Sequence, residues 1–137
     1  MTLGAQSAEA PSRDTLRDTL RIVHVGDINF ARNAARWYVI PGRGQEIFAG
    51  LRDVLRGADL AIGNLESVLM DRGTFADPQG TFVFAGPAQS AALLADAGFD
   101  MLTTANNHAW DFGRSALLES QTHLERCLLY TSDAADE

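Results

Sequence analysis

Three short apolar runs, each closed by a polar turn and followed by a stretch of helical period, set the plan of this chain. Leu20-Arg21-Ile22-Val23-His24-Val25 is rich in β-branched residues and stops at Gly26-Asp27, which predicts a buried strand entering a tight turn. Phe30 to Gly44 holds Trp37, Tyr38, Pro41 and two glycines, and reads as an irregular or partly helical connection. From Gln45 to Arg56, the side chains of Ile47, Phe48, Leu51, Val54 and Leu55 recur on one helical face, and Gly57 stands where a helix closes. Asp59 to Ile62 predicts a second strand, which ends in Gly63-Asn64-Leu65-Glu66. Met70 to Gly80 collects turn-formers, and the alternation in Thr81-Phe82-Val83-Phe84 predicts a short edge strand or hairpin arm. Pro87 suits the first position of a helix running to about Ala97, where Gly98 closes it. A third strand, Phe99 to Ala105, ends in Asn106-Asn107-His108, and Ser115 to Leu128 predicts a helix with Leu117, Leu118, Leu124 and Leu128 inward.

Strand, polar turn and helix repeated three times argue for an α/β protein with buried, largely parallel strands. In such sheets ligands gather beyond the carboxyl ends of the strands. If the three strands are neighbours, Asp27, Glu66, Asn107 and His108 converge on one site. Two carboxylates, an amide oxygen and an imidazole suit a divalent ion such as Mn, Fe or Zn. Two such ions clamp a phosphoryl group and activate a bound water. Each signal has a plainer reading. Gly26-Asp27 is a common turn, and Asn64 and Glu66 also suit turn capping. Adjacent amides after a buried strand are rarer, because they are poor strand and helix formers. Asp111, three residues after His108, either orients that imidazole or caps the following helix. Arg32 meets either a phosphate or a surface carboxylate. The plain readings are preferred for the other histidines and for Trp110. His24 is expected to be packed or hydrogen-bonded, with alternation placing it opposite Val23, Val25 and Asp27. His123 is expected to be solvated on a helix surface, and Trp110 to pack over its loop.

Charge and composition narrow the classes. The 137 residues fit one domain, and 11 basic against 18 acidic residues give a net charge of −7. A phosphate-backbone binder is ordinarily basic, so nucleic acid is disfavoured as a partner. The single cysteine, Cys127, forms no internal disulfide and no multi-cysteine zinc site. No apolar run approaches the ~20 residues of a membrane helix. Residues 1–19 lack the basic and apolar regions of a signal peptide and read as a flexible lead-in, so cytoplasmic location is the default expectation.

At this point the residues resemble a family. Val25-Gly26-Asp27, Ala58-Asp59-Leu60-Ala61-Ile62-Gly63-Asn64-Leu65-Glu66-Ser67, and Ala97-Gly98-Phe99-Asp100 leading into Ala105-Asn106-Asn107-His108-Ala109-Trp110-Asp111-Phe112-Gly113 look like the capsule-synthesis CapA family. That family is associated with poly-γ-glutamate capsule synthesis and belongs to the calcineurin-like metallophosphoesterase superfamily. The match runs over residues 20–126, and its most specific part is Asn-Asn-His-Ala-x-Asp-x-Gly. The resemblance implies a four-layer α/β sandwich, of which this chain is the N-terminal half, with a metal site at its strand ends. Asp27 matches the first metal-binding aspartate. Glu66, with Asn64, matches the second motif, and Asn107 the asparagine ligand of the third. His108 matches the adjacent histidine, which donates to the phosphoryl or leaving oxygen, and Asp111 supports it. One departure stands out: Asn29 occupies the place of the histidine in the superfamily's Asp-x-His pair.

The resemblance also implies later histidine-rich motifs that complete the ligand set, and none follows Arg126 here. Residues 127–137 resemble adapter-derived read-through, the rival being a genuine acidic tail, so a non-native end is the expectation. The functional expectation is a metal-dependent phosphoesterase-type hydrolase acting on a small-molecule or polymer-precursor substrate. The alternative is a non-catalytic component of capsule or polyglutamate assembly that works with other capsule-synthesis partners. A purely structural α/β domain leaves the Asn-Asn-His segment unexplained.

Overall fold

Parallel strands need crossovers, and the chain supplies a helical segment between each neighbouring pair of its main sheet. A computed structural model describes residues 19–73, 82–127 and 129–132. Its elements are β1 (Ile22–Ile28), α1 (Arg32–Ala34) continued by a π-helical turn (Ala35–Val39), a 3-10 turn (Gly44–Glu46), α2 (Arg52–Arg56), β2 (Leu60–Leu65), β3 (Val68–Met70), β4 (Ala85–Pro87), α3 (Ser90–Ala97), β5 (Met101–Thr103), α4 (Gly113–Arg126) and β6 (Tyr130–Ser132). One sheet has the order β1-β2-β5-β6, and β3 pairs β4 in a second; every pair is parallel. This is an α/β fold. The order puts the carboxyl ends of β1, β2 and β5 side by side on one edge.

The core lies between this sheet and the helices. Leu65, Leu94, Phe99, Leu102 and Leu124 are buried in one cluster. The Phe48 ring meets Phe30 and Phe99 edge-on, with centroids 6.1 and 5.7 Å away. Gly98 closes α3 at φ +105, donating to the Leu94 and Ala95 carbonyls. An L side chain there is strained and would run into Arg56.

A bulge sets up the end of β1. His24 pairs Ile62 but Asp27 pairs Asn64, so β1 carries one residue more than β2 over this stretch. Strict alternation places Asp27 on the face of Val23 and Val25. The extra residue gives that inward place to Ile28, which joins them in the core, and leaves Asp27 exposed at the strand end. Gly63 lies opposite the bulge. A Cβ there would sit 2.5 Å from Ile28 Cδ1, 3.1 Å from Val25 Cγ2 and 3.2 Å from Phe99 Cε1.

Several elements differ from the pattern-based expectation. Leu20 and Ile22 are exposed because β1 is a sheet edge, so its start is not among the most buried segments. Gln45 to Arg56 is α-helical only at its end. The Phe48 carbonyl accepts from both Leu51 and Arg52, at 2.9 and 3.0 Å, so the chain tightens into 3-10-like turns. Phe48 and Leu55 reach the core, while Leu51 and Val54 face solvent. Phe82 to Phe84 forms no strand, and Pro87 ends β4 rather than starting α3. Strand β3 lies where the turn-formers begin. On α4, Leu117 and Leu124 are buried but Leu118 points outward, one helical step off their face. In the stretch read as a non-native end, Leu129 is buried and β6 pairs β5, with Met101 opposite Tyr130. Most of the lead-in (residues 1–18), part of the turn-rich region (74–81), Leu128 and the acidic end (133–137) lie outside the described residues. Among those described, no helix is long and apolar enough to cross a membrane.

Candidate functional site

The three polar turns are joined by hydrogen bonds across the strand ends. Asn64, beside Asp27 in the β1–β2 register, donates through Nδ2 to Asp27 Oδ1 at 2.7 Å. Its amide oxygen accepts from Thr103 Oγ1 at 3.0 Å and from Asn106 Nδ2 at 3.1 Å. A carbonyl oxygen has two lone pairs, and both are engaged here. Asn64 therefore ties Asp27 to the β5 turn, and in this arrangement its oxygen is taken up by the protein rather than offered to a cation. Asn106 also donates to the Leu65 carbonyl at 3.0 Å, and its own oxygen accepts the His108 backbone N–H at 3.0 Å. Asn107 is exposed and its side chain has no hydrogen-bond partner among the described residues.

His108 is held from three sides. Its Nδ1 lies 2.8 Å from Asp111 Oδ2, and the same oxygen accepts the Phe84 backbone N–H at 2.7 Å. Side-chain exposure is 12% for His108 and 11% for Asp111, so the pair is largely screened from water. An ionised carboxylate only accepts, so in the neutral ring the proton sits on His108 Nδ1 and Nε2 is left as the acceptor. Glu66 Oε1 stands 4.0 Å from that Nε2, and the Glu66 backbone N–H is fixed to the Ile28 carbonyl at 2.9 Å. The Phe84 ring covers the imidazole, with centroids 4.3 Å apart. On Phe84 in turn rests the Arg32 guanidinium, 5.1 Å from the ring centroid. Arg32 has φ 55, a left-handed backbone rare for such a side chain. Asp111 thus orients the imidazole, and Phe112 rather than Asp111 occupies the position before α4.

Asn29 accepts the Ala31 N–H at 2.8 Å, closing a turn just beyond β1. A cavity of about 270 Å³ opens beside it, lined by Asp27, Phe30, Phe48 and Phe99 among others.

The donor chemistry suits a hard or borderline divalent cation: the second oxygen of Asp27, the Glu66 carboxylate and the exposed Asn107 amide. The geometry is only partly drawn in. Among the described residues, the one trio of His, Cys, Asp or Glu with ligand atoms within 4.8 Å of one another is Asp71, Glu119 and His123, elsewhere on the molecule. His123 is therefore not simply solvated: its Nε2 lies 3.3 Å from Asp71 Oδ1. Its partner comes from the end of β3, an element the turn-rich sequence hides. His24 is exposed, and Trp110 is 53% exposed rather than packed over its loop. Asn106, Phe84 and Thr103 were not singled out by sequence reasoning. The paired amides did signal the first of these, but not which of the two would turn inward.

Comparison with known proteins identifies the family. The chain is 30% identical over 115 residues to the uncharacterized protein y4sH of Sinorhizobium fredii (strain NBRC 101917 / NGR234), covering 79% of this chain and 23% of that protein. It is 30% identical over 111 residues to the PGA biosynthesis protein CapA of Bacillus subtilis (strain 168), covering 80% of this chain and 29% of that protein. The chain thus spans about a quarter of the length of these curated relatives. The family model for the bacterial capsule synthesis protein PGA_cap matches residues 21–132, from the start of β1 through β6. The match takes in every strand end described above, and the chain belongs to this CapA-type family of bacterial capsule synthesis proteins.

Proposed function

We propose that the β1, β2 and β5 ends form part of a metal-dependent phosphoesterase-type site serving capsule or poly-γ-glutamate biosynthesis. The observation that carries the reading is His108, oriented by Asp111 at 2.8 Å, with Glu66 beside its other nitrogen. Asp27 and Glu66, with Asn107 facing solvent, are the residues that would hold a divalent ion such as Mn, Fe or Zn. Such an ion supplies Lewis acidity and an acidified water. Asp111 keeps the proton of His108 on Nδ1, which leaves Nε2 to pass a proton to or from a phosphoryl or leaving oxygen. Phe84 shields the imidazole from bulk water. Asn64 and Asn106 hold Asp27 in register with the β5 turn. The substrate class is a small molecule or polymer precursor carrying a phosphoester.

The second reading is a non-catalytic component of capsule or polyglutamate assembly that keeps the fold and one weak metal site. It is favoured by Asn29, whose side chain closes a turn where a ligand is expected. Calorimetric titration with Mn²⁺ and a generic phosphoester assay test the site. This chain is expected to bind Mn²⁺ weakly, to lose that binding in Asp27→Asn, and to turn over the phosphoester slowly or not at all. Two-metal catalysis needs both ions held at fixed separation, and these strand ends gather only part of a ligand set. Brisk metal-dependent turnover abolished by His108→Ala would instead make these residues sufficient and sink the non-catalytic reading. Mn²⁺ binding indifferent to Asp27→Asn would remove the basis of the phosphoesterase reading.

A further inference from the structure

The strand-end site leaves one cluster of ligating side chains unused. Glu119 and His123 are one helical turn apart on α4 and so face the same way. Asp71, the first residue after β3, meets them. Its backbone N–H donates to Glu119 Oε1 at 2.7 Å, and its Oδ1 lies 3.3 Å from His123 Nε2. Glu119 Oε1 stands 3.8 Å from the same nitrogen. Beside them, the Leu69 N–H donates to the buried Ser120 hydroxyl at 3.0 Å. Two hydrogen bonds thus fix β3 against α4 and set the three side chains before any ligand arrives. Sites on rigid elements hold ligand geometry more closely than sites on loops.

We infer that Asp71, Glu119 and His123 form a second divalent-cation site, distinct from the strand ends, that staples β3 to α4. One imidazole nitrogen and two carboxylates are a borderline donor set, which suits Zn²⁺ or Co²⁺ rather than Mg²⁺. Burial falls from His123, 15% exposed, to Asp71, 70% exposed, so the fourth position opens to water. That arrangement fits an ion that exchanges with solvent. The two sites are far apart: His123 lies almost three helical turns beyond the start of α4, which itself follows Asp111, so about 15 Å of helix separates them. The consequence reaches the catalytic side chain through packing. β3 pairs β4, and Phe84, which covers His108, leads directly into β4.

The test uses Zn²⁺ titration of the whole chain, followed by calorimetry and by thermal unfolding with and without metal. The variants are Asp71→Asn, a change at an exposed position that leaves the core untouched, and His123→Gln. Either is expected to weaken Zn²⁺ binding at this site at least tenfold and to abolish the rise in Tm that it supplies. Failure of the strand-end reading would appear instead as Mn²⁺ binding unchanged by Asp27→Asn, so the two outcomes are separable. Zn²⁺ affinity unchanged in both Asp71→Asn and His123→Gln would overturn the inference. So would a Co²⁺ spectrum with thiolate charge transfer, which would assign the metal to Cys127.

Discussion

Replacing Asp111 with alanine is expected to cost about 2–6 kcal/mol of stability and to release His108 from its single orientation. The carboxylate accepts two hydrogen bonds through one oxygen, from His108 Nδ1 and from the Phe84 N–H. Both donors lie in a part-buried setting, and each one orphaned costs about 1–3 kcal/mol. Phe84 would then lose its anchor and its cover over the imidazole together. Asp111→Asn is the informative companion. With its amide oxygen in the place of Oδ2 it keeps both acceptances and much of the stability, but it lacks the carboxylate charge that holds the ring proton on Nδ1. ¹⁵N chemical shifts of the His108 ring read this directly. The wild type should show the proton on Nδ1, and Asp111→Asn should show a larger share of the Nε2 tautomer. A wild-type ring protonated on Nε2 alone would contradict the assigned role of Asp111.

Gly63→Val should also be damaging, for a reason of space alone. Even one Cβ at this position approaches Ile28 Cδ1 to 2.5 Å and Val25 Cγ2 to 3.1 Å. Those side chains flank the bulge that leaves Asp27 at the strand end. Overpacking a filled core typically costs about 1–3 kcal/mol and sometimes more, and valine adds two methyls beyond the Cβ. Against a total stability of about 5–15 kcal/mol, the variant should melt at a clearly lower temperature. Because β1 is an edge strand, the strain is relieved most readily by loosening its pairing with β2, which would also separate Asp27 from Asn64. Loss of protection at the β1 amides in hydrogen exchange would report that separation. A melting curve and exchange pattern like those of the wild type would show that the close approach at Gly63 is not a constraint.

These positions also show where sequence reading works. The strands at Ile22, Leu60 and Met101 are legible because β-branched or aliphatic runs end abruptly in polar residues. Their parallel order follows from the helical segments between them. The bulge in β1 is invisible from β1 alone, since it exists only relative to the register of β2. It is the reason Ile28, and not Asp27, completes the inward face with Val23 and Val25. The choice between Asn106 and Asn107 has the same character. Both have one chemistry, and only the path of the chain after β5 turns Asn106 inward to Asn64 and Leu65 while leaving Asn107 exposed. His123 was misjudged because Asp71 reaches it from β3, which is too short and too close to Gly73 to read as a strand. The helix expected from Gln45 fails because its apolar spacing is also satisfied by tight turns that bury Phe48 and Leu55, with Ile47 partly covered, and leave Leu51 and Val54 in solvent.

The central claim is that Asp27 and Glu66 hold a divalent ion beside His108, and an anomalous difference map from crystals soaked in Mn²⁺ tests it most directly. The account predicts a peak at the strand ends, about 2.0–2.2 Å from carboxylate oxygens of Asp27 and Glu66 and within reach of Asn107. A map with no peak there, or with density confined to Asp71, Glu119 and His123, would contradict it.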